Sequence, residues 1–423
     1  MDFKKYTGFG LTACLLSANA HSMQLTFLGG ASLEWTDNVF YDDSNKSNDL
    51  LETVNLGVRA QEQESFYELQ VGYDASHERY ERESFNAETF YNGTASLLLI
   101  PLPDRFSWEF SMASDTTQTQ SVLPDTPDNR DQRNTYSTAP RLVLLSLPRD
   151  KVNLTGEASK ITFRDADTSG SDRAGGSLDW VHDVSELVNF SVATGYEKVN
   201  FEVNEDYERS YYSVGLGRQI RNGSVFFSAG QTKLTPEISD ELTGMNAQVS
   251  IKWSNDIHAF SLEVSQDLTD TSVAFSDGVS ESAASDLPSD VNTGEVDLIT
   301  RTRVVLGDAY RMSSTSSLAG FIFVDREKSE TNADDTSRVG TTLAYQRNIT
   351  PELSGDIELS YERSEEGVEK FKDTTKSVKV GVSRAFGERL SVSAWVEHEE
   401  ADNESNLLTY ESNLVGLSGN IQY

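Results

Sequence analysis

Beyond its first twenty residues the chain is a succession of segments, each about ten residues long, in which every second side chain is apolar. Phe106, Trp108, Phe110 and Met112 alternate with Ser107, Glu109, Ser111 and Ala113; Tyr67, Leu69, Val71 and Tyr73 alternate with Glu68, Gln70, Gly72 and Asp74. The rhythm returns at Phe260, Leu262 and Val264, at Leu353, Gly355, Ile357, Leu359 and Tyr361, and at Val378, Val380 and Val382. Successive strand side chains point to opposite faces, so each segment reads as a strand with one greasy and one polar face. About twenty such segments recur, roughly one per twenty residues, the repeat of an up-and-down barrel.

The connections separate a membrane barrel from a soluble sandwich array, which would share the strand period. Outer-membrane barrels alternate short periplasmic turns with longer outer loops. Tight turns fall at Pro101-Leu102-Pro103-Asp104, Leu147-Pro148-Arg149-Asp150, Asp183-Val184-Ser185-Glu186, Arg221-Asn222-Gly223, Ser254-Asn255-Asp256, Asn348-Ile349-Thr350-Pro351 and Phe386-Gly387-Glu388. Between them lie polar stretches at 37–49, 76–87, 115–134, 164–173, 202–208, 232–243, 267–293, 325–336, 362–374 and 398–406. Residues 307–316 read as a turn on the short side that is longer than its peers. At the C-terminus Val415, Leu417, Gly419, Ile421 and Tyr423 alternate up to a final aromatic, the form of a last barrel strand and of a terminal assembly signature.

Charge and targeting agree with this class. The 423 residues carry 68 Asp and Glu against 35 Lys and Arg, a formal charge of −33, which repels phosphate and argues against a nucleic-acid partner. No apolar run past the N-terminus reaches the ~18 residues of a spanning helix. Residues 1–20 read as a secretory signal: Lys4 and Lys5, the apolar run Gly8 to Leu16, then Ala18-Asn19-Ala20. Its removal takes two positive charges and one negative, so −33 becomes −34, and it takes Cys14, leaving no disulfide framework. The competing reading is a lipobox, Leu11-Thr12-Ala13-Cys14, with an acylated Cys14.

With the apolar positions toward lipid, their alternates line the lumen: Glu68, Gln70, Asp74, Glu109, Glu263, Asp356, Glu358, Lys379 and Glu397, with Glu295, Asp297, Arg301 and Arg303 from a more basic segment. Excess carboxylate favours cations, and Arg301 and Arg303 opposed to a carboxylate ring set a transverse field. The same residues pairing off to stiffen the wall is the alternative. Loops 115–134 and 267–293 are candidates to fold into the mouth. Acidic loop residues, including Asp42-Asp43, Glu202 to Glu208 and Glu362 to Glu369, could bridge lipopolysaccharide through divalent cations.

Enzymatic and metal signatures are weak. The five His, at 21, 77, 182, 258 and 398, show no ligand spacing and read as interfacial residues. Asp165-Ala166-Asp167-Thr168-Ser169-Gly170 opens like a calcium loop, but its twelfth position is Gly176. Ser177 and Asp179 share one strand face and His182 lies on the other, so they form no triad. No metal, cofactor or catalytic residue is expected.

The first hairpin carries a resemblance. Ala31-Ser32-Leu33-Glu34-Trp35-Thr36-Asp37-Asn38-Val39, then Lys46-Ser47-Asn48-Asp49 and Leu56-Gly57-Val58, resembles the opening of a β-barrel porin family that includes PEP-CTERM-system-associated and exopolysaccharide-biosynthesis outer-membrane proteins. The likeness continues through Tyr73, Tyr80 and Asn86, and past about residue 110 persists as strand rhythm. Leu56 stands where those proteins often carry Pro. The resemblance implies an outer-membrane barrel linked to polysaccharide export, with no catalytic residues to carry over.

The expectation is therefore an all-β chain: a signal at 1–20, then a transmembrane antiparallel up-and-down barrel over 21–423 with about 20 strands, 18 to 22 allowed. It would act as a passive channel for hydrophilic solutes or a secreted exopolysaccharide; the alternative is a non-conducting structural or adhesive surface protein. Expected partners are outer-membrane lipid and lipopolysaccharide, the barrel assembly machinery and polysaccharide export components.

Overall fold

The computed structural model describes residues 23–118, 125–164, 170–272, 297–330, 335–366, 371–403 and 409–423. The signal, Cys14, His21, Glu295, most of the calcium-like segment and 273–293 of the longest loop lie outside the described residues.

Twenty strands follow one another: β1 (Gln24–Thr36), β2 (Asp49–Gln63), β3 (Tyr67–Tyr80), β4 (Glu88–Leu102), β5 (Phe106–Gln118), β6 (Arg130–Ser146) and β7 (Asp150–Phe163). Next come β8 (Ser171–Ser185), β9 (Val188–Phe201), β10 (Tyr207–Ile220), β11 (Gly223–Pro236), β12 (Leu242–Ser254), β13 (His258–Asp270) and β14 (Leu298–Arg311). The wall is completed by β15 (Ser316–Ser329), β16 (Thr336–Asn348), β17 (Leu353–Glu366), β18 (Phe371–Phe386), β19 (Leu390–Asn403) and β20 (Tyr410–Gln422). Each pairs antiparallel with its sequence neighbours, and β1 pairs with β20 from Leu28↔Gln422 to Thr36↔Leu414, so the sheet closes and has no edge. Strand spacing of about 4.8 Å and a tilt of about 40° put the twenty traces on a cylinder roughly 20 Å in radius, too wide for side chains to fill.

The pleat sorts the side chains as the sequence pattern requires. Val378, Val380 and Val382, Val415 and Leu417, and Leu33 and Trp35 are exposed on the outer wall. Phe27 and Tyr423 exchange backbone hydrogen bonds of 2.8 and 2.9 Å, closing the periplasmic rim with an aromatic pair. Trp108, Trp180, Tyr310 and Phe386 continue that rim, while Trp35, Tyr91, Tyr136, Tyr196, Tyr212 and Tyr361 stand higher on the same face. His182 and His258 sit beside Asp150 and Asp308 near the short turns; His77 and His398 sit near the outer ends.

Two details differ from the sequence reading. Residues 312–315 form an ordinary four-residue turn, the same length as 349–352, because 307–311 continue β14 with full pairing to β13 and β15. Several outer loops are also shorter than their polar stretches: β11 runs to Pro236 and β15 to Ser329. Strands of 13 to 17 residues exceed the ~10 that cross a bilayer, so polarity marks emergence from lipid and not the end of pairing.

The ladder is interrupted at two outer positions where both strands continue. Between β4 and β5 pairing stops at Gly93↔Ser114, and between β12 and β13 at Ala247↔Gln266. Gly93 has φ 151°, and a Cβ there would fall 2.1 Å from the Gly72 carbonyl oxygen, so only glycine permits the bend that parts β4 from β5.

Candidate functional site: the lumen wall and its outer mouth

Strand parity places Glu68, Asp74, Glu109, Glu263, Arg301, Arg303, Asp356, Glu358, Lys379 and Glu397 on the lumen face, opposite the exposed apolar positions. Asp297 lies just before β14, its backbone N–H donating to Thr271 Oγ1 at 3.1 Å.

Arg301, Lys379 and Arg59 are matched by carboxylates on neighbouring strands. Arg301 donates from Nε to Asp325 Oδ1 at 2.9 Å and from Nη1 toward Glu327 at 3.1 Å, both on neighbouring β15; Arg338 of β16 approaches the same Asp325 at 3.7 Å. Lys379 meets Glu397 at 3.1 Å, and Arg59 meets Asp74 at 2.5 Å. The transverse field expected of Arg301 is thus largely cancelled by its own neighbours. Glu109, Asp356 and Glu358 carry no ion pair among the described residues, so a carboxylate surplus remains.

A lumenal aromatic was missed by the sequence reading. Trp395 of β19 leans over Gly416 of β20 so closely that a Cβ there would lie 2.2 Å from its ring, with Lys379 Nζ 5.5 Å from the ring centroid. The signal was a Trp on the polar face of an alternating strand.

Two buried clusters crowd the outer mouth. In the first, loop 37–48 turns inward: Asn38, fully buried, donates to the carbonyls of Asp42 and Glu411 at 2.9 Å each, and Tyr41 packs edge-on to Tyr410 at 4.8 Å. Tyr410 donates to Glu399 at 2.5 Å. Burial, with Glu399 and Asp125 nearby, pushes the Tyr41 phenol well above its ordinary value, so it stays neutral. Arg130 bridges Asp125, in the described part of loop 115–134, to Glu78 of β3 at 3.0 Å, bringing that loop against the inner wall. In the second cluster Val199, Tyr207, Leu234 and Leu268 are buried together, flanked by Phe201, Leu242 and Leu298. Arg173 meets the fully buried Asp270 at 2.8 Å at the root of the longest loop. The sequence reading took 164–173, 202–208 and 232–243 as polar stretches between strands and 267–293 as a candidate to fold into the mouth; continuing the alternation outward would have shown Arg173, Tyr207, Arg209 and Leu234 on lumen positions.

No catalytic grouping forms at the residues considered for one. Ser177 donates to Asp179 at 3.3 Å on the lumen face, while His182 bonds Asp150 at 2.9 Å on the outer wall.

No protein-family model and no curated protein matches the chain. Solved structures with the same fold include the apoprotein form of the FrpB iron transporter from Neisseria meningitidis, 9% identical, covering 97% of this chain and 82% of that one at a TM-score of 0.50. The siderophore receptor PirA from Acinetobacter baumannii is 8% identical over 94% of this chain and 80% of its own, also at 0.50. The in-vitro folded outer membrane protein OmpT of Vibrio cholerae aligns over 95% of this chain and 100% of its own at 11% identity and a TM-score of 0.42. At such identities the likeness shows the fold alone: a closed 20-strand antiparallel barrel resembling those of Gram-negative outer-membrane proteins.

Proposed function

We propose that this barrel is a passive channel for hydrophilic solutes with a preference for cations. The observation that carries this reading is the lumen wall, where Arg59, Arg301 and Lys379 pair with carboxylates on adjacent strands while Glu109, Asp356 and Glu358 carry no ion pair among the described residues. A secreted exopolysaccharide is the macromolecular cargo we propose for the same lumen, on the strength of the first-hairpin resemblance. Swelling of liposomes containing the refolded chain, with neutral sugars of increasing size, tests the channel. Swelling above protein-free vesicles supports it, and none from folded protein removes it. Loss of surface polymer on gene deletion, with small-solute uptake unchanged, supports the polysaccharide route.

The second reading is a closed surface protein. It is favoured by the inward packing of Tyr41 on Tyr410 and of Arg130 on Glu78, which narrows the mouth.

A further inference from the structure

The interruption between β12 and β13 moves one strand pair inside the wall. The two strands pair from Ser254↔Ala259 to Ala247↔Gln266 and then stop. Beyond that point β12 stays paired with β11 out to Leu234↔Leu242, and β13 stays paired with β14 out to Asp270↔Leu298. Residues 242–246 of β12 and 267–270 of β13 therefore each keep one paired edge and one without a ladder.

Leu268 shows where the outer part of β13 has gone. Strand parity groups it with Phe260, Leu262 and Val264 on the outward face, yet it is 1% exposed, and a Cβ at Gly244, a lumen position of β12, would lie 3.0 Å from the Leu268 Cβ. Its cluster partners Leu234, Tyr207 and Val199 also face the lumen. The outward face of the β13–β14 tip is thus seated on the inward face of the wall. Such a second layer stands roughly 10 Å inside a wall roughly 20 Å in radius.

Polar contacts latch the tip there, reaching past β12 to β11, β10 and β8. Asp267 accepts from the Thr232 hydroxyl at 2.9 Å and pairs with Arg209. Asp270 accepts from Arg173 at 2.8 Å and from the Tyr207 hydroxyl, and Arg173 also donates to Ser272 at 2.9 Å.

The same backbone has a second arrangement. Continuing the register gives Asn246↔Asp267, Met245↔Leu268, Gly244↔Thr269 and Thr243↔Asp270, which supplies both open edges with ladder bonds and returns Leu268 to the outward face. Glu197 lies 3.9 Å from Arg173 and 4.0 Å from Arg209, so each arginine keeps a carboxylate when the tip leaves. Ladder bonds on one side then oppose latch bonds on the other, the balance of a two-position element.

We propose that the β13–β14 tip is a gate on the outer mouth: latched to β8, β10 and β11 it narrows the lumen, and zipped onto β12 it clears it. This rests on the channel reading and adds a moving part to it.

Cys14 is the only cysteine, so cysteine pairs in a Cys14→Ser background report the two positions. Gly244→Cys with Leu268→Cys joins only with the tip inside. Met245→Cys with Leu268→Cys joins only with the tip zipped, because Met245 faces outward and is 52% exposed. Both disulfides are expected on oxidation of the refolded barrel, mapped by mass spectrometry. In a planar bilayer the inward-trapped form should show the lower unit conductance and the outward-trapped form the higher, and reduction should erase the difference. Asp267→Asn should speed formation of the outward disulfide about fivefold, the effect of losing one charge-assisted bond. Should Gly244→Cys not fold, Thr232→Cys with Asp267→Cys traps the same inward position. Failure of the outward disulfide to form, or equal conductance of the two trapped forms, overturns the gate and leaves the channel standing. No current from either trapped form removes the channel and the gate with it.

Discussion

Arg173 of β8 and Asp270 at the end of β13 are ninety-seven residues apart, yet two hydrogen bonds of 3.0 and 2.8 Å join them in a site where Asp270 has no exposed surface. Ser272 adds a third contact to Arg173 at 2.9 Å. Asp270→Ala leaves a guanidinium buried without its partner, a loss of about 3–5 kcal/mol when it is fully felt. Urea unfolding in vesicles should show it, and the double change Arg173→Met with Asp270→Leu should recover most of the loss. Equal destabilisation by the single and double variants would contradict this assignment.

Arg301 is a poor probe of selectivity because it is a structural group. Arg301→Glu sets a third carboxylate beside Asp325 and Glu327 and should reduce refolding yield several-fold, read as the heat-modifiable fraction on gels. Full yield with a changed ion preference would return Arg301 to the role of an open lumenal charge.

Gly416→Val should drive the Trp395 ring off the wall and into the lumen, since its first carbon falls 2.2 Å from ring atoms. Unit conductance should fall. Gly416→Val with Trp395→Ala should restore it or exceed the original value.

Outer loops 202–206 and 237–241 are joined by Glu205, which accepts from the Ser239 N–H and hydroxyl at 2.7 Å each and from the Ile238 N–H. Desolvation raises the Glu205 carboxyl, but these hydrogen bonds outweigh it and hold the group below the ordinary value of 4.5. A depressed carboxyl contributes stability above its unfolded pKa and loses it as pH falls through the folded one. Protection of the Ser239 amide should therefore persist at neutral pH and fade below about pH 4.5, and Glu205→Gln should abolish that dependence.

The fold was legible because a barrel wall of this kind repeats one local rule: lipid on one face, water on the other, with nothing between to disturb the period of two. Phe106 to Met112 and Val378 to Val382 state the rule in seven and five residues. Lumen positions such as Glu358 and Lys379 followed from the same parity. Pairing did not, because it depends on which strands are neighbours and on diagonal reach: Arg301 faces Glu327 in register yet also bonds Asp325. The mouth was illegible for a related reason. Tyr41, Tyr207 and Asp270 lie in stretches whose polarity resembles solvated loop, and their burial comes from contacts over long sequence separations, such as Tyr41 with Tyr410. The β4–β5 seam depends on one backbone angle at Gly93, which composition does not reveal.

The account rests on an open lumen carrying unpaired carboxylate. Reversal potential of the refolded barrel in a planar bilayer under a KCl gradient measures that directly, with Glu109→Gln/Glu358→Gln beside the parent chain. Discrete conductance steps with a potassium-side reversal that shifts toward zero in the double variant are the predicted result. A folded barrel that passes no current, or one whose reversal favours chloride, would contradict the account.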